Sequence, residues 1–203
     1  MTKHTSSIDS QLMQYIEVQG QGWVFTPSDF ADLGSRTAVA SALMRYAATG
    51  RIRSLSRGLY DWPRVHAVLG MLWPDVAQVA QAFERKDGLR LQPSGAYAAN
   101  LLGLSEQVPA KVEYLTDGPT REVLVGPTQI IFKRTTPKNM ACAGRLSGLL
   151  IQAFRFLGPE HISQPRIAHL RSALPVSERS GVIADLACAP VWMRRWLQEV
   201  AQP

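Results

Sequence analysis

The sequence has few residues of the types that form metal centres. Its 203 residues include two cysteines and four histidines. Neither Cys142 nor Cys188 belongs to a C-x-x-C pair, and no histidine has a second ligand at the spacing that a helical metal site requires. We therefore expect no metal site. The cysteines, which are far apart in sequence and have alanine neighbours, are interpreted as buried free thiols.

Recognisable catalytic patterns are also missing. Ser94 lies in Pro-Ser-Gly without a nucleophile-elbow pattern, so we interpret it as a helix N-cap. Gly144 and Gly148 are four residues apart, but no Walker-type lysine follows them, which favours close helix packing over a phosphate cradle. The carboxylates are scattered and suggest no acid–base pair. The sequence therefore predicts a protein that is not an enzyme and needs no cofactor.

Long apolar runs are absent as well. The first residues, MTKHTSSIDSQL, contain no apolar segment typical of a secretory signal, and no run elsewhere approaches the length of a membrane span. We expect a cytoplasmic protein with no membrane partner.

Positive charge, in contrast, is in excess. The net charge is +6 and the isoelectric point is about 9.7, which favours a polyanionic partner. Between Ser35 and Tyr60 there are five arginines and no acid. A basic surface can be merely solvated, but here the charge coincides with a recognisable order of elements.

Residues 26–62 predict a helix, a tight turn, a second helix and a basic hairpin. Thr26 can cap the first helix, with Pro27 at its first position. Ser35 can cap the second helix, which extends to about residue 49. The second helix has an apolar stripe at helical spacing, formed by Val39, Ala42, Leu43, Tyr46 and Ala47. Its other face carries small or hydrogen-bonding residues and arginines, as a helix in the major groove requires.

The hairpin follows directly. Alternation predicts that Ile52 and Leu55 face the core while Arg51 and Arg53 point outward, and Gly58 suits a turn with positive φ. A short strand at residues 23–25 could pair with this wing. The order is that of a winged helix-turn-helix, a fold that usually binds duplex DNA.

The rest of the chain predicts a mixed domain. Residues 64–73 are interpreted as a connector whose apolar side chains pack on something. Three strands near residues 111–134 suggest an antiparallel meander, and the helices predicted after it are 141–157, 164–173, 176–187 and 190–200. The predicted fold class is α+β: a winged helix-turn-helix domain at 1–64, then a domain at 65–203 with a small antiparallel sheet and C-terminal helices. A second basic cluster, formed by Lys133, Arg134 and Lys138, could touch DNA, an acidic partner or only water.

Three stretches resemble the AbiEi family of type IV toxin–antitoxin antitoxins, also called abortive-infection antitoxins. They are VFTPSDFADLGSRTAVASALMRYAATGRIRSLSRGLYDWP, LQPSGAYAANLLGLSEQVPAKVEYLTDGPTREVLVG and AGRLSGLLIQAFRFLG. The first would fit many winged-helix proteins, whereas the second is much more specific. The resemblance runs over most of the chain, and these three stretches carry it.

The resemblance implies a transcriptional repressor that binds the promoter of its own toxin–antitoxin operon, with possible self-association on DNA. It also implies that the C-terminal domain counteracts a nucleotidyltransferase-like toxin, directly or functionally. The DNA-binding residues that it implies are Ser35, Arg36, Thr37, Ser41 and Arg45 in the helix, and Arg51, Arg53 and Arg57 in the wing. We assign base contact to Arg36 and phosphate contact to Arg53.

Two other functions stay open from the sequence. The chain could be a winged-helix regulator whose C-terminal domain senses a small molecule, because apolar helices interrupted by glycine permit a pocket. It could also be a nuclease that the winged helix directs to its substrate, although no metal-ligand or acid–base set supports this.

Overall fold

The computed structural model describes residues 7–107 and 109–202, and the chain divides into two compact units. Unit 1 extends to Leu89 and includes residues 124–127, and unit 2 contains the rest of the chain from Arg90. Helices and small sheets occur in both, so the predicted α+β fold class is confirmed. No helix in the described residues is long and apolar enough to cross a membrane.

Unit 1 combines helices with small antiparallel sheets. Its helices are α1 (Ile8–Gln19), the 3-10 helix Pro27–Leu33, α2 (Arg36–Ala48) and α3 (Val76–Asp87). One sheet has the order β1-β3-β2, with β1 (Val24–Phe25), β2 (Arg53–Ser56) and β3 (Leu59–Asp61); the other pairs β4 (Val65–His66) with β5 (Gly70–Met71). The pairing of β1 with the wing follows the prediction. The element order is compatible with a winged helix-turn-helix.

Local chemistry explains how the helix-turn-helix begins. The Thr26 N–H and hydroxyl donate to Asp29 Oδ2 at 2.8 and 3.1 Å. The Ser35 hydroxyl accepts from the Ala38 N–H at 3.3 Å and caps α2 as predicted. The first helix is a 3-10 helix that kinks at Phe30, whose buried ring packs edge-on against Phe25. These caps fix where α2 begins.

The core of unit 1 lies between α1, α2 and the β1-β3-β2 sheet. The buried residues are Leu12, Met13, Ile16, Phe25, Phe30, Val39, Ala42, Leu43, Ile52 and Tyr60. Val39, Ala42 and Leu43 belong to the predicted stripe of α2, which is therefore confirmed as its buried face.

Most of the connector is an exposed hairpin, so the prediction that its apolar side chains pack on something is wrong for Val65, Val68 and Leu69. Val65, Val68 and Leu69 are 67%, 85% and 72% exposed. Its turn is instead stabilised locally, because His66 Nδ1 lies 3.2 Å from both the Val68 and the Leu69 amide nitrogen and accepts from both. The strands β4 and β5 therefore form without burying their side chains.

The main segment of unit 1 continues to Leu89, whereas the sequence places the first domain boundary at residue 64. α3 packs against β1 and the 3-10 helix. Arg85, in its last turn, donates to Asp29 Oδ1 at 2.7 Å and to the Val24 carbonyl at 2.8 Å. These bonds hold α3 on the winged-helix elements.

Unit 2 combines one four-stranded sheet with several helices. Its strands are β6 (Leu91–Ser94), β7 (Lys111–Thr116), β8 (Arg121–Val125) and β9 (Thr128–Arg134), in the order β6-β7-β9-β8. Its helices are α4 (Gly95–Leu101), α5 (Leu146–Leu157), α6 (Gln164–Ala173), α7 (Val176–Ala184) and α8 (Val191–Ala201). The predicted C-terminal helices are thus confirmed, although α5 begins later and α7 ends earlier than expected.

The sheet of unit 2 is not the predicted meander. β9 lies between β7 and β8 and runs parallel to β7, whereas β6 is antiparallel to β7. In the parallel pair Val112 lies beside Ile130 and Tyr114 beside Phe132, and all four residues are buried. The parallel arrangement thus groups the apolar side chains of β7 and β9, which a meander order would have separated.

Gly148 marks a close approach of two backbones within unit 2. A Cβ at this position would overlap the carbonyl oxygen of Cys142, so a side chain does not fit. This agrees with the interpretation of Gly148 as a packing residue, whereas the same interpretation of Gly144 is wrong, because a Cβ there would meet nothing within 4 Å. Gly181 in α7 is the opposite of Gly148, because it is exposed and a Cβ there would meet nothing within 4 Å.

Gly148 and Gly181 make a matched pair for alanine substitution. We expect Gly148→Ala to lower the free energy of unfolding by about 1–3 kcal/mol, since the buried backbone would have to move. Gly181→Ala should raise it by about 0.5–1 kcal/mol, because alanine restricts the unfolded chain and favours helix. Urea unfolding followed by circular dichroism measures both changes. Equal stability of the two variants would contradict this account.

Candidate nucleic-acid interface

The face of α2 opposite the core is accessible. All the residues in and just before this helix that were predicted to contact DNA are exposed, namely Ser35, Arg36, Thr37, Ser41 and Arg45. The helix is held by its other face, where Val39 and Leu43 are 1% and 0% exposed. A partner can thus reach the polar face without disturbing the packing.

Met44 extends this face and was missed in the sequence. Its side chain is 65% exposed, and it follows Thr37 and Ser41 by seven and three residues, so the three share one side of α2. Apolar groups on such a helix contact thymine methyl groups. Its helical spacing would have identified Met44, but only polar and charged residues were predicted to contact DNA.

Arg45 is exposed but paired. Its guanidinium donates to both carboxylate oxygens of Asp9 in α1, at 2.7 and 2.9 Å. The hydrogen bond to Asp9, together with the Asp9 charge, raises the pKa of Arg45. A DNA contact by Arg45 therefore requires it to leave or share Asp9.

The wing presents two of its three predicted arginines. Arg57 is exposed in the turn between β2 and β3, next to Gly58, which has the positive φ of 71° that the sequence suggested. Arg51 is exposed before β2, and its guanidinium lies 5.6 Å from the centre of the Tyr46 ring. Both cations are accessible to a partner.

Arg53 does not point outward, so this part of the prediction is wrong. Its guanidinium donates to Asp61 at 2.9 and 2.5 Å and to the Leu72 carbonyl at 2.7 Å, and it stacks 4.5 Å from the centre of the Trp73 ring. Leu72 and Trp73 cover this face of the hairpin, so alternation alone does not make Arg53 exposed.

The partner of Arg53 is a fully buried carboxylate. Asp61 is 0% exposed and lies directly opposite Arg53 in the strand register. Burial raises the pKa of Asp61, and the hydrogen bonds and charge of Arg53 oppose this rise. We therefore assign Arg53 to the stability of the wing instead of to phosphate binding.

A basic cleft joins α2, the wing and α3 within unit 1. Its volume is about 590 Å³, and its lining includes Arg36 from the start of α2, Arg57 from the wing and Lys86 from the end of α3. Within the described part of the chain, none of these three cations is in an ion pair. The helix N-terminus adds its own partial positive charge to this cleft. Its other lining residues include Pro27, Ser28 and Gly34, with Asp87 as the acid.

Lys86 was not among the predicted site residues. The sequence gave no reason to consider it, because α3 was assigned to the second domain. Its position depends on the contacts of Arg85 with Asp29 and Val24, which fold the end of α3 back onto the winged-helix elements.

One family model matches this sequence. It is described as "Family of unknown function (DUF6088)" and covers residues 11–180, which include the whole candidate interface. A search of the curated proteins finds no match.

The different positions of Arg53 and Arg57 lead to a prediction about stability. We expect Arg53→Ala to lower the free energy of unfolding by about 3 kcal/mol or more, because it leaves the Asp61 carboxylate buried without its partner. Arg57→Ala should change it by no more than about 0.5 kcal/mol, since Arg57 is exposed. Chemical denaturation of the full chain measures both. If the Arg53→Ala variant is as stable as wild type, Arg53 does not stabilise the wing and is available to bind phosphate.

Proposed function

The chain belongs to DUF6088, and we propose that it is a transcriptional repressor that binds duplex DNA at the promoter of its own operon. The single observation that carries the proposal is the cleft in which Arg36, Arg57 and Lys86 meet from three different elements. Three cations beside an exposed recognition-type helix form the electrostatic pattern expected of a DNA-binding surface.

Arg36 is the residue proposed to read bases. It lies in the first turn of α2, where a major-groove helix approaches base edges, and a guanidinium can donate two hydrogen bonds to guanine. Thr37, Ser41 and Met44 follow on the same exposed face, where hydroxyls can bond bases or phosphates and the thioether can contact thymine methyl groups.

Arg51, Arg57 and Lys86 are proposed to bind the phosphate backbone. All three are exposed. Arg57 and Lys86 flank the start of α2 in the cleft, whereas Arg51 follows the end of this helix. Contacts of this kind set the position of a protein on DNA without selecting its sequence. Arg45 is proposed to contact DNA only when it leaves Asp9, with which it forms an ion pair in the free protein.

The proposed biological role is that of an antitoxin in a type IV toxin–antitoxin system. It rests on the resemblance of residues 24–63, 91–126 and 143–158 to abortive-infection antitoxins. In this proposal unit 2 counteracts a nucleotidyltransferase-like toxin in the cytoplasm. The protein acts by binding and not by catalysis.

Binding to the chain's own promoter should separate the two kinds of contact. We expect Arg36→Ala to cost about 1–3 kcal/mol on the specific site and to relax preference at particular base pairs. Lys86→Ala should weaken specific and random DNA equally and reduce the slope of log K against log salt by about 0.9, the effect of one phosphate contact. Fluorescence anisotropy at several salt concentrations gives both quantities.

The control variant is Lys111→Ala, which removes an exposed cation from β7 in unit 2. It should leave affinity and salt slope unchanged. If Lys111→Ala and Lys86→Ala weaken DNA binding to the same extent, the interface is diffuse charge and the assignment of the cleft is wrong.

Repression and toxin neutralisation should be separable by a single substitution. We expect Arg36→Ala to release a reporter driven by the operon promoter while cells that express the adjacent toxin gene still grow, because Arg36 is an exposed side chain of unit 1. Reporter fluorescence and growth are measured in the same strain. Loss of rescue by a folded, normally abundant Arg36→Ala protein would show that DNA binding and neutralisation share this surface.

A further inference from the structure

Unit 2 brings both cysteines of the chain and one carboxylate to the same place. The sulfur atoms of Cys142 and Cys188 and an oxygen of Asp185 all lie within 4.8 Å of one another. Cys142 and Asp185 are 4% and 7% exposed, whereas Cys188 is half-buried. Three potential ligands of a metal ion therefore converge at an otherwise buried point.

The chain presents two of these groups on one tight turn. Asp185 and Cys188 are separated by two residues, and the Cys188 N–H donates to the Asp185 carbonyl at 2.9 Å. A two-residue separation is typical of ligand pairs in structural zinc sites. The sequence contains no C-x-x-C pair, and Asp185-x-x-Cys188 has the same spacing with a carboxylate in place of the first thiol.

The carboxylate is already oriented by neighbouring side chains. The Ser147 hydroxyl donates to Asp185 Oδ2, and Arg145 Nη1 lies 2.8 Å from Oδ1. Each carboxylate oxygen has a second lone pair, so these bonds leave an acceptor for a metal ion. Hydrogen bonds that fix a ligand in this way are a regular part of metal sites.

A small cavity lies beside the two thiols. Its volume is about 10 Å³, and Cys142 and Cys188 are among the residues that line it. A space of this size is comparable with the volume that one water molecule occupies. Lys138 and Arg155 also line this cavity and Asp185 does not, so the ion is placed among the three ligand atoms and not in the cavity itself.

We propose that Cys142, Cys188 and Asp185 bind one zinc ion, with water as the fourth ligand. Thiolates select zinc over magnesium and calcium, and two thiolates with one carboxylate are a chemically suitable set for it. A tetrahedral site holds such atoms roughly 3.5–4 Å apart, so small side-chain rotations close the set. Each thiol releases its proton to solvent as its sulfur binds.

The zinc ion would connect two segments of unit 2. Cys142 lies in the turn before α5, and Asp185 and Cys188 lie between α7 and α8. A disulfide between the same cysteines would connect the same segments, but it would not use Asp185. The convergence of an oriented carboxylate on both thiols therefore favours a metal ion. This site is independent of the proposed DNA binding.

The test is a titration of the reduced, full-length protein with Co²⁺ under anaerobic conditions. Because the chain contains only two cysteines, any thiolate-to-cobalt charge-transfer band reports this site. We expect a band that saturates at one Co²⁺ per chain and disappears when Zn²⁺ is added. Bound Zn²⁺ should also slow the reaction of both thiols with a disulfide reagent, a measurement that needs no variant.

Variants identify the ligands. Cys142→Ser and Cys188→Ser should each abolish the band, and Asp185→Asn should weaken Co²⁺ binding at least tenfold. The matched control is Glu160→Gln, which changes an exposed acid of the same unit and should bind Co²⁺ like wild type. Circular dichroism without metal checks the fold, and if the serine variants are unfolded, thiol protection in the wild type decides.

Three results would overturn the proposal. The first is the absence of a charge-transfer band together with no protection of the thiols by Zn²⁺. The second is an Asp185→Asn variant that binds Co²⁺ as tightly as wild type. The third is the formation of a Cys142–Cys188 disulfide, with loss of two hydrogens in the protein mass, when glutathione disulfide is added in the presence of excess Zn²⁺.

Discussion

The buried ion pair between Arg53 and Asp61 is the interaction on which the winged hairpin depends. Asp61 lies in β3, the central strand of the sheet, opposite Val24 of β1 and Arg53 of β2. Its carboxylate has no contact with solvent, so it is tolerated only because a guanidinium donates two hydrogen bonds to it. The same guanidinium also bonds the Leu72 carbonyl and stacks on Trp73. One side chain thus fixes the hairpin and the segment that leads into α3, and the exposed cations Arg51 and Arg57 are positioned on a rigid support.

The number of arginines in the sequence therefore overestimates the number of cations that the surface offers to DNA. Five arginines between residues 35 and 60 suggested a uniformly basic face, but Arg53 is an internal counter-ion and Arg45 is paired with Asp9. Features governed by local chemistry were predictable, because the Ser35 cap, the stripe of α2 and the positive φ at Gly58 each depend on a few neighbouring residues. The burial of Arg53 was not predictable, because Leu72 and Trp73, which cover it, come from a segment further along the chain.

Long-range arrangements were the least predictable part. Three strands of the unit 2 sheet were located from alternation and turn residues, yet alternation does not say which strand is the neighbour, and β9 pairs with β7 in parallel. Lys86 entered the candidate interface only because α3 folds back, and Asp185 joined the cysteines only because two turns meet. In both places the residue types were visible in the sequence, whereas their partners lie tens of residues away along the chain. Tertiary packing, and not local propensity, brings these groups together.

Because α3 is attached to the winged-helix elements, the segment that can be transferred intact to another protein by gene fusion includes α3. Arg85 bonds Asp29 and the Val24 carbonyl, so these elements are completed only near Leu89, well beyond the proline that follows the wing. A gene fusion that joined this winged helix to a different effector at Pro63 would leave Asp29 without its arginine and would lose Lys86 from the cleft. Recombination that preserves the recognition surface is therefore confined to breakpoints after α3, and related chains with other C-terminal parts should carry this helix with them.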